Sequence, residues 1–137
     1  TSLGVAIGSD VEAFDAAAMK TDEVEALTAQ HGFGETALTS TSNAVAWACN
    51  ANQVVFHLTT ENTAFGAPTE QVDGNYYGLI IKQAAAGGPH TIAWNAVFLF
   101  PGGTAPTPST GANEIDHYGF RSDGTNMIYV GSTLDNS

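Results

Sequence analysis

From about Thr36 onward the chain alternates apolar and small or polar residues with a period of two. Val45, Trp47 and Cys49 fall on one face, and Val54, Phe56 and Leu58 alternate with Val55, His57 and Thr59 in the next run. Tyr77, Leu79 and Ile81 form a further inward face. Ile92 with Trp94 and Phe98 with Phe100 follow, then Tyr118, Phe120 and Ser122 lead into Met127, Tyr129 and Gly131. A strand with one buried face produces this pattern. Turn residues separate the runs: Asp73-Gly74, a flexible loop over Ala84–Pro89, Pro101-Gly102-Gly103, a Pro/Thr/Ser/Gly-rich surface loop over Thr104–Asn113, and Asp123-Gly124. The last, set between two alternating runs, is the strongest hairpin signal. Seven or eight short strands without intervening helices predict a mainly β fold, an antiparallel β-sandwich or jelly roll, with a small barrel as the alternative. Val97–Phe100 is apolar on both faces. It is expected to be buried between layers or to present one face to another subunit.

The first 35 residues read differently. Ser2–Gly8 looks extended, and Ser9 or Asp10 can cap a short helix through Val11, Phe14, Ala18 and Met19. Asp22 with Glu25 resembles the cap of a second helix striped by Val24 and Leu27 and ended by Gly32 and Gly34. Helices of two to three turns are unstable alone. This segment is therefore expected to dock on its own β body, a neighbouring subunit or a host structure. The predicted organisation is an extended and helical attachment segment at 1–35 and a β-sandwich domain at 36–137.

Composition narrows the function. Charged residues are only 12% of the 137, about half the usual share, whereas 43% are apolar. Part of the surface must then be neutral, which points to coverage by copies or by a larger assembly. The net charge of −11 comes from 14 acidic residues against Lys20, Lys82 and Arg121. Nucleic acid is excluded as a partner because phosphate binding needs clustered cations, and anionic membranes are disfavoured likewise. Cys49 is single, so no intrachain disulfide forms; its place beside Trp47 on an alternating run predicts a buried structural thiol. There is no apolar run of 18 residues and no signal peptide with a basic start.

Catalytic templates find no match. The nucleophile elbow, the phosphate-cradling and dinucleotide glycine patterns, the H-E-x-x-H helix and the paired cysteines of a zinc site are all missing from the sequence. His31, His57, His90 and His117 are widely spaced and read as surface or strand residues. Glu114 and Asp116 would share one face of a strand, where they could hold a hard cation or act as an acid/base pair. Strand neighbours supply no cleft for a glycosidase, so a solvent-facing or turn-capping role is preferred. No catalytic, metal or cofactor residue is expected. Trp47 and Trp94 share faces with Val45 and Ile92 and read as core. Tyr76 and Tyr118 remain as candidates for stacking on a sugar ring, and Phe14, Phe98 and Phe100 as candidates for a subunit interface.

Several strings are familiar together: Asn43-Ala-Val-Ala-Trp47, Gln53–Thr59, Ala67-Pro68-Thr69, Leu79–Gln83, Ile92-Ala-Trp94, Phe100-Pro-Gly-Gly-Thr-Ala-Pro-Thr107 and Ser122-Asp-Gly-Thr-Asn126. They resemble a module of tailed-bacteriophage virion proteins, found in tail fibres and related surface structures, and Leu3–Ala17 resembles the segment that precedes it. The resemblance covers most of the chain. It implies a non-enzymatic structural protein at the virion surface, homotrimeric, serving assembly, stability or contact with the host surface. The chain is short for a tail fibre and lacks a repetitive shaft, which favours a head fibre or capsid decoration protein. Segment 1–35 would then bind other virion proteins, with a host glycan as a further possible partner.

Overall fold

The computed structural model describes residues 34–137. The two expected helices and Phe14 lie outside the described residues. Nine strands follow in order: β1 Glu35–Leu38, β2 Ala44–Val45, β3 Val54–Thr59, β4 Thr63–Phe65, β5 Tyr76–Gln83, β6 Ile92–Trp94, β7 Phe98–Leu99, β8 Ile115–Ser122 and β9 Met127–Asn136. A single 3-10 turn at Pro101–Gly103 is the one helical element among the described residues. The domain is mainly β, as the alternation predicts. Strand β1 begins at Glu35.

The strand pairing departs from the antiparallel expectation. One sheet runs β1-β3-β5-β8-β9-β7 and a second runs β2-β4-β6. Neighbours β1/β3, β3/β5, β2/β4, β4/β6 and β7/β9 are parallel; only β5/β8 and β8/β9 are antiparallel. The cause is the path of the chain. Strands β1, β3 and β5 of the larger sheet are each followed by a short strand of the smaller one, β2, β4 and β6, before the chain returns, so β1, β3 and β5 arrive in the same direction. The antiparallel hairpin β8–β9 lies beyond β5, and its Asp123-Gly124 turn falls where the sequence places it. Gly124 takes φ +86°, and the Asp123 carboxylate accepts from the backbone N–H groups of Thr125 and Asn126.

The inner faces carry Val45, Trp47, Phe65, Leu79, Ile81, Tyr118, Phe120 and Met127, all buried. On β5 and β8 every second residue is buried, in register with the sequence pattern. Strand β3 reverses the expected preference. Its buried residues are Val55, His57 and Thr59, while Phe56 is half-buried and Leu58 is 42% exposed. Buried polar groups must be hydrogen-bonded, and these are. Thr59 Oγ1 donates to Gln83 Oε1 (3.0 Å), and Gln83 Nε2 donates to the His90 carbonyl (3.1 Å). His57 Nδ1 lies 2.9 Å from the Leu38 carbonyl, and Nε2 lies 3.1 Å from the Thr63 hydroxyl.

Burial holds the His57 imidazole below its ordinary value, against the opposing pull of the Leu38 carbonyl and the Glu61 charge. Protonation therefore favours the unfolded chain. The contribution of neutral His57 is intact above about pH 6.5 and is lost as the pH falls below it. Thermal unfolding between pH 7.5 and 5 is expected to show a falling midpoint in the wild type and a flatter profile in His57→Gln; equal slopes would contradict this assignment.

The outer face of the larger sheet has a glycine row. Gly78 pairs with Gly119, and Gly119 with Gly131, across three adjacent strands. A β-bulge after Gly119 leaves Val130 leaning over it: a Cβ at Gly119 would meet Val130 Cγ2 at 3.1 Å, whereas one at Gly131 would meet nothing within 4 Å.

Candidate functional site

Strand β6 is the edge of the smaller sheet, and among the described residues its outer side has no strand partner. Thr63 N–H donates to the Thr91 carbonyl and Asn95 N–H to the Phe65 carbonyl, so the alternate residues of β6 face β4. In a parallel ladder the N–H and C=O of Ile92 and Trp94 must then point the other way. Among the described residues nothing pairs with them. A groove of about 450 Å³ runs along this edge, lined by β6, by Phe98–Phe100, and by the small residues Ala96, Gly103 and Ala105. It has no charged lining residue. Asn95 fixes its rim, its Oδ1 accepting from Val97 N–H and its carbonyl from Phe98 N–H.

The opposite edge of the same sheet is closed. Thr41 and Ala44 exchange backbone hydrogen bonds of 2.9 and 3.1 Å across a turn in which Ser42 and Asn43 take φ +52° and +65°. This occupies Ala44, whose backbone groups would otherwise face outward from β2. The Glu61 carboxylate accepts from Asn43 N–H (3.0 Å) and is held below the usual carboxylate range by Ser40 and by that N–H. Backbone pairing can therefore be extended at β6 but not at β2.

Trp94 forms the floor between the groove and the core. It stacks on Phe65 at 5.2 Å and meets Phe98, Phe100, Tyr118 and Phe120 at 5.1–5.9 Å, mostly edge-on or tilted. Its Nε1 and the Tyr118 hydroxyl are buried with no hydrogen-bond partner among the described residues. Each costs about 1–3 kcal/mol, which the aromatic packing offsets. Burial, and then the nearby Asp116 charge, push the Tyr118 phenol upward.

The residues singled out from sequence fare unevenly. Tyr118 is buried on the same face as Phe120, so it offers no ring to a sugar, and that expectation is corrected. Tyr76 is 60% exposed and keeps its candidacy. Phe98 is buried and Phe100 half-buried in the aromatic cluster. The exposed apolar member of Val97–Phe100 is Leu99, which the alternation did not single out. Phe98 thus faces the core, while Leu99 on the other side of the strand is 44% exposed.

Glu114 and Asp116 serve local structure. Asp116 is buried and accepts from Ser109 N–H (2.8 Å), the Ser109 hydroxyl and Asp135 N–H (3.1 Å). Glu114 accepts from Gly111 N–H and closes the turn before β8. The two carboxylates therefore take the turn-capping role. His57 is buried, His90 half-buried and His117 exposed, while His31 lies outside the described residues. No cluster of three or more metal-ligating side chains occurs among the described residues. Cys49 is buried, and desolvation pushes its thiol up to about 12, as expected of a structural residue.

No family model matches the chain, and neither curated proteins nor solved structures give a match.

Proposed function

We propose that the chain is a non-enzymatic structural protein of the tailed-phage particle surface. It is a homotrimeric head fibre, tail-fibre component or capsid decoration protein, with residues 1–35 as its attachment segment. One observation carries this reading: among the described residues the β6 edge is unpaired above an uncharged groove while the β2 edge is closed. An edge strand with free N–H and C=O groups recognises extended backbone, and flanking pockets accept alternate side chains. Apolar groove residues suit a neutral segment of another particle protein. The low charge of the whole chain and the motif resemblance support the same reading.

The test is on purified particles of the phage that encodes the chain. Gold-labelled antibody is expected to mark the particle surface, and Ala105→Glu, which brings a carboxylate into the groove, is expected to be depleted from particles while remaining folded in solution. Absence of the chain from particles by mass spectrometry overturns the reading. A second reading, recognition of a host glycan, is favoured by one observation, the 60% exposure of Tyr76.

A further inference from the structure

We propose that Asp73-Gly74 is a self-modification site, at which the folded chain converts Asp73 to isoaspartate through a cyclic imide, while Asp123-Gly124, the same dipeptide in the neighbouring turn, is held inert. Only backbone chemistry and water are involved, so the modification is independent of the particle assignment. The Gly74 nitrogen attacks Asp73 Cγ. An N–Cγ bond forms, a Cγ–O bond breaks, and the amide proton leaves as water with the hydroxyl of the protonated carboxyl. Water then adds to one of the two imide carbonyls. Opening at Cγ restores aspartate; opening at the former main-chain carbonyl leaves a chain that runs through Cβ and Cγ, one methylene longer. Glycine after the aspartate favours the step because no side chain blocks the attacking nitrogen.

The two turns differ in what holds them. At Asp123 both carboxylate oxygens are taken: Oδ1 accepts from Thr125 N–H (3.0 Å) and Asn126 N–H (2.6 Å), and Oδ2 from Asn126 Nδ2 (3.1 Å). Asn126 and Thr125 thereby keep the carboxyl below the usual carboxylate range, against the protonation that loss of water requires. The nucleophile is engaged too, Gly124 N–H donating to Ser122 Oγ (2.9 Å). Asp73 is exposed, and among the described residues no hydrogen bond reaches its carboxylate. Gly74 N–H holds one bond, to the Ser122 carbonyl (2.8 Å), and a longer one closes the turn, from Asn75 N–H to the Val72 carbonyl (3.2 Å). A Cβ at Gly74 would meet only Arg121 Nη2, at 4.0 Å, the movable end of a side chain. Attack at Asp73 therefore breaks far fewer bonds than attack at Asp123. The turns also touch, since Asp73 Cβ lies 3.6 Å from the position of a Cβ on Gly124. A longer main chain at residue 73 draws Gly74 N–H off the Ser122 carbonyl and disturbs the return bond from Ser122 N–H to the Asn75 carbonyl (2.9 Å). Isoaspartate at this position loosens the start of β5, with the exposed Tyr76.

The full chain, held at 37 °C and pH 7 for several weeks, tests the proposal. Peptide mapping separates isoaspartyl from aspartyl peptides, and methyl transfer by an isoaspartyl methyltransferase gives a second measure. In the folded chain isoaspartate is expected to accumulate at residue 73 at least about tenfold faster than at residue 123, the effect of a single charge-assisted hydrogen bond. In concentrated urea the two sites are expected to react at similar rates. Asn126→Ala is expected to raise the rate at residue 123 several-fold and to leave residue 73 unchanged. Hydrogen exchange on the aged chain is expected to show lost protection at the Gly74 and Ser122 amides. Equal rates in the folded chain, faster reaction at residue 123, or reaction at residue 73 in urea alone overturns the proposal. Full protection of both amides in chains carrying isoaspartate overturns its structural consequence.

Discussion

Phe120→Ala is expected to lower stability by about 3–5 kcal/mol, the usual range for removing a fully buried ring. Phe120 is 0% exposed and meets Trp94, Phe98, Phe100 and Tyr129 with ring centroids 5.3–6.3 Å apart. These rings come from β6, β7, β8, β9 and the 3-10 turn entry. Truncation therefore leaves a cavity bounded by several elements, which cannot all collapse into it. For a chain of this size the melting midpoint should fall by on the order of 10–20 °C. Calorimetry measures both quantities. A loss below about 1 kcal/mol would show that the cluster repacks around the gap, and the aromatic hub would not be the centre of the fold.

Asp116→Ala is the second large effect, at about 3 kcal/mol. Hydrogen bonds to a charged group contribute about 1.5–3 kcal/mol each, and donors left buried without an acceptor add a penalty. Three donors converge on this carboxylate, two from Ser109 and one from Asp135. It thereby fixes the loop before β8 to the end of β9. Hydrogen exchange should show amide protection lost at Ser109 and Asp135 while the Asp123–Gly124 hairpin turn stays protected. Retained protection at both amides would contradict the assigned role.

Local alternation was legible in the sequence; topology was not. Tyr77, Leu79 and Ile81, and Tyr118, Phe120 and Ser122, are buried in the alternation their spacing indicates. The Asp123-Gly124 hairpin is set by backbone preferences that need no distant partner. Parallel pairing leaves no mark of its own, because a strand shows period two whichever way its neighbour runs. The winding between sheets is also hidden, since Glu35 pairs with Val54 and Val54 with Gly78, an unequal spacing that yields no visible repeat. On β3 the alternation pointed the wrong way. His57 and Thr59 are stabilised inside by particular partners from β4, β5 and the β1 end, which no local window contains. Tyr118 carried two incompatible expectations, an inward neighbour of Phe120 and an open sugar platform. The strand periodicity was the better guide.

The open β6 edge was illegible for another reason: an edge is defined by what fails to pair with it. Its counterpart at β2 left a faint trace in Thr41-Ser-Asn-Ala44, where two residues adopt left-handed conformations to fold the chain back on itself. That turn has a bearing on assembly order. Copies that could join β6 to β2 would lengthen without end, as stacked sheets do in insoluble fibrils. With one side already engaged by its own backbone, growth by strand addition terminates after a single joining event. The protein can therefore reach high concentration and still remain a countable unit.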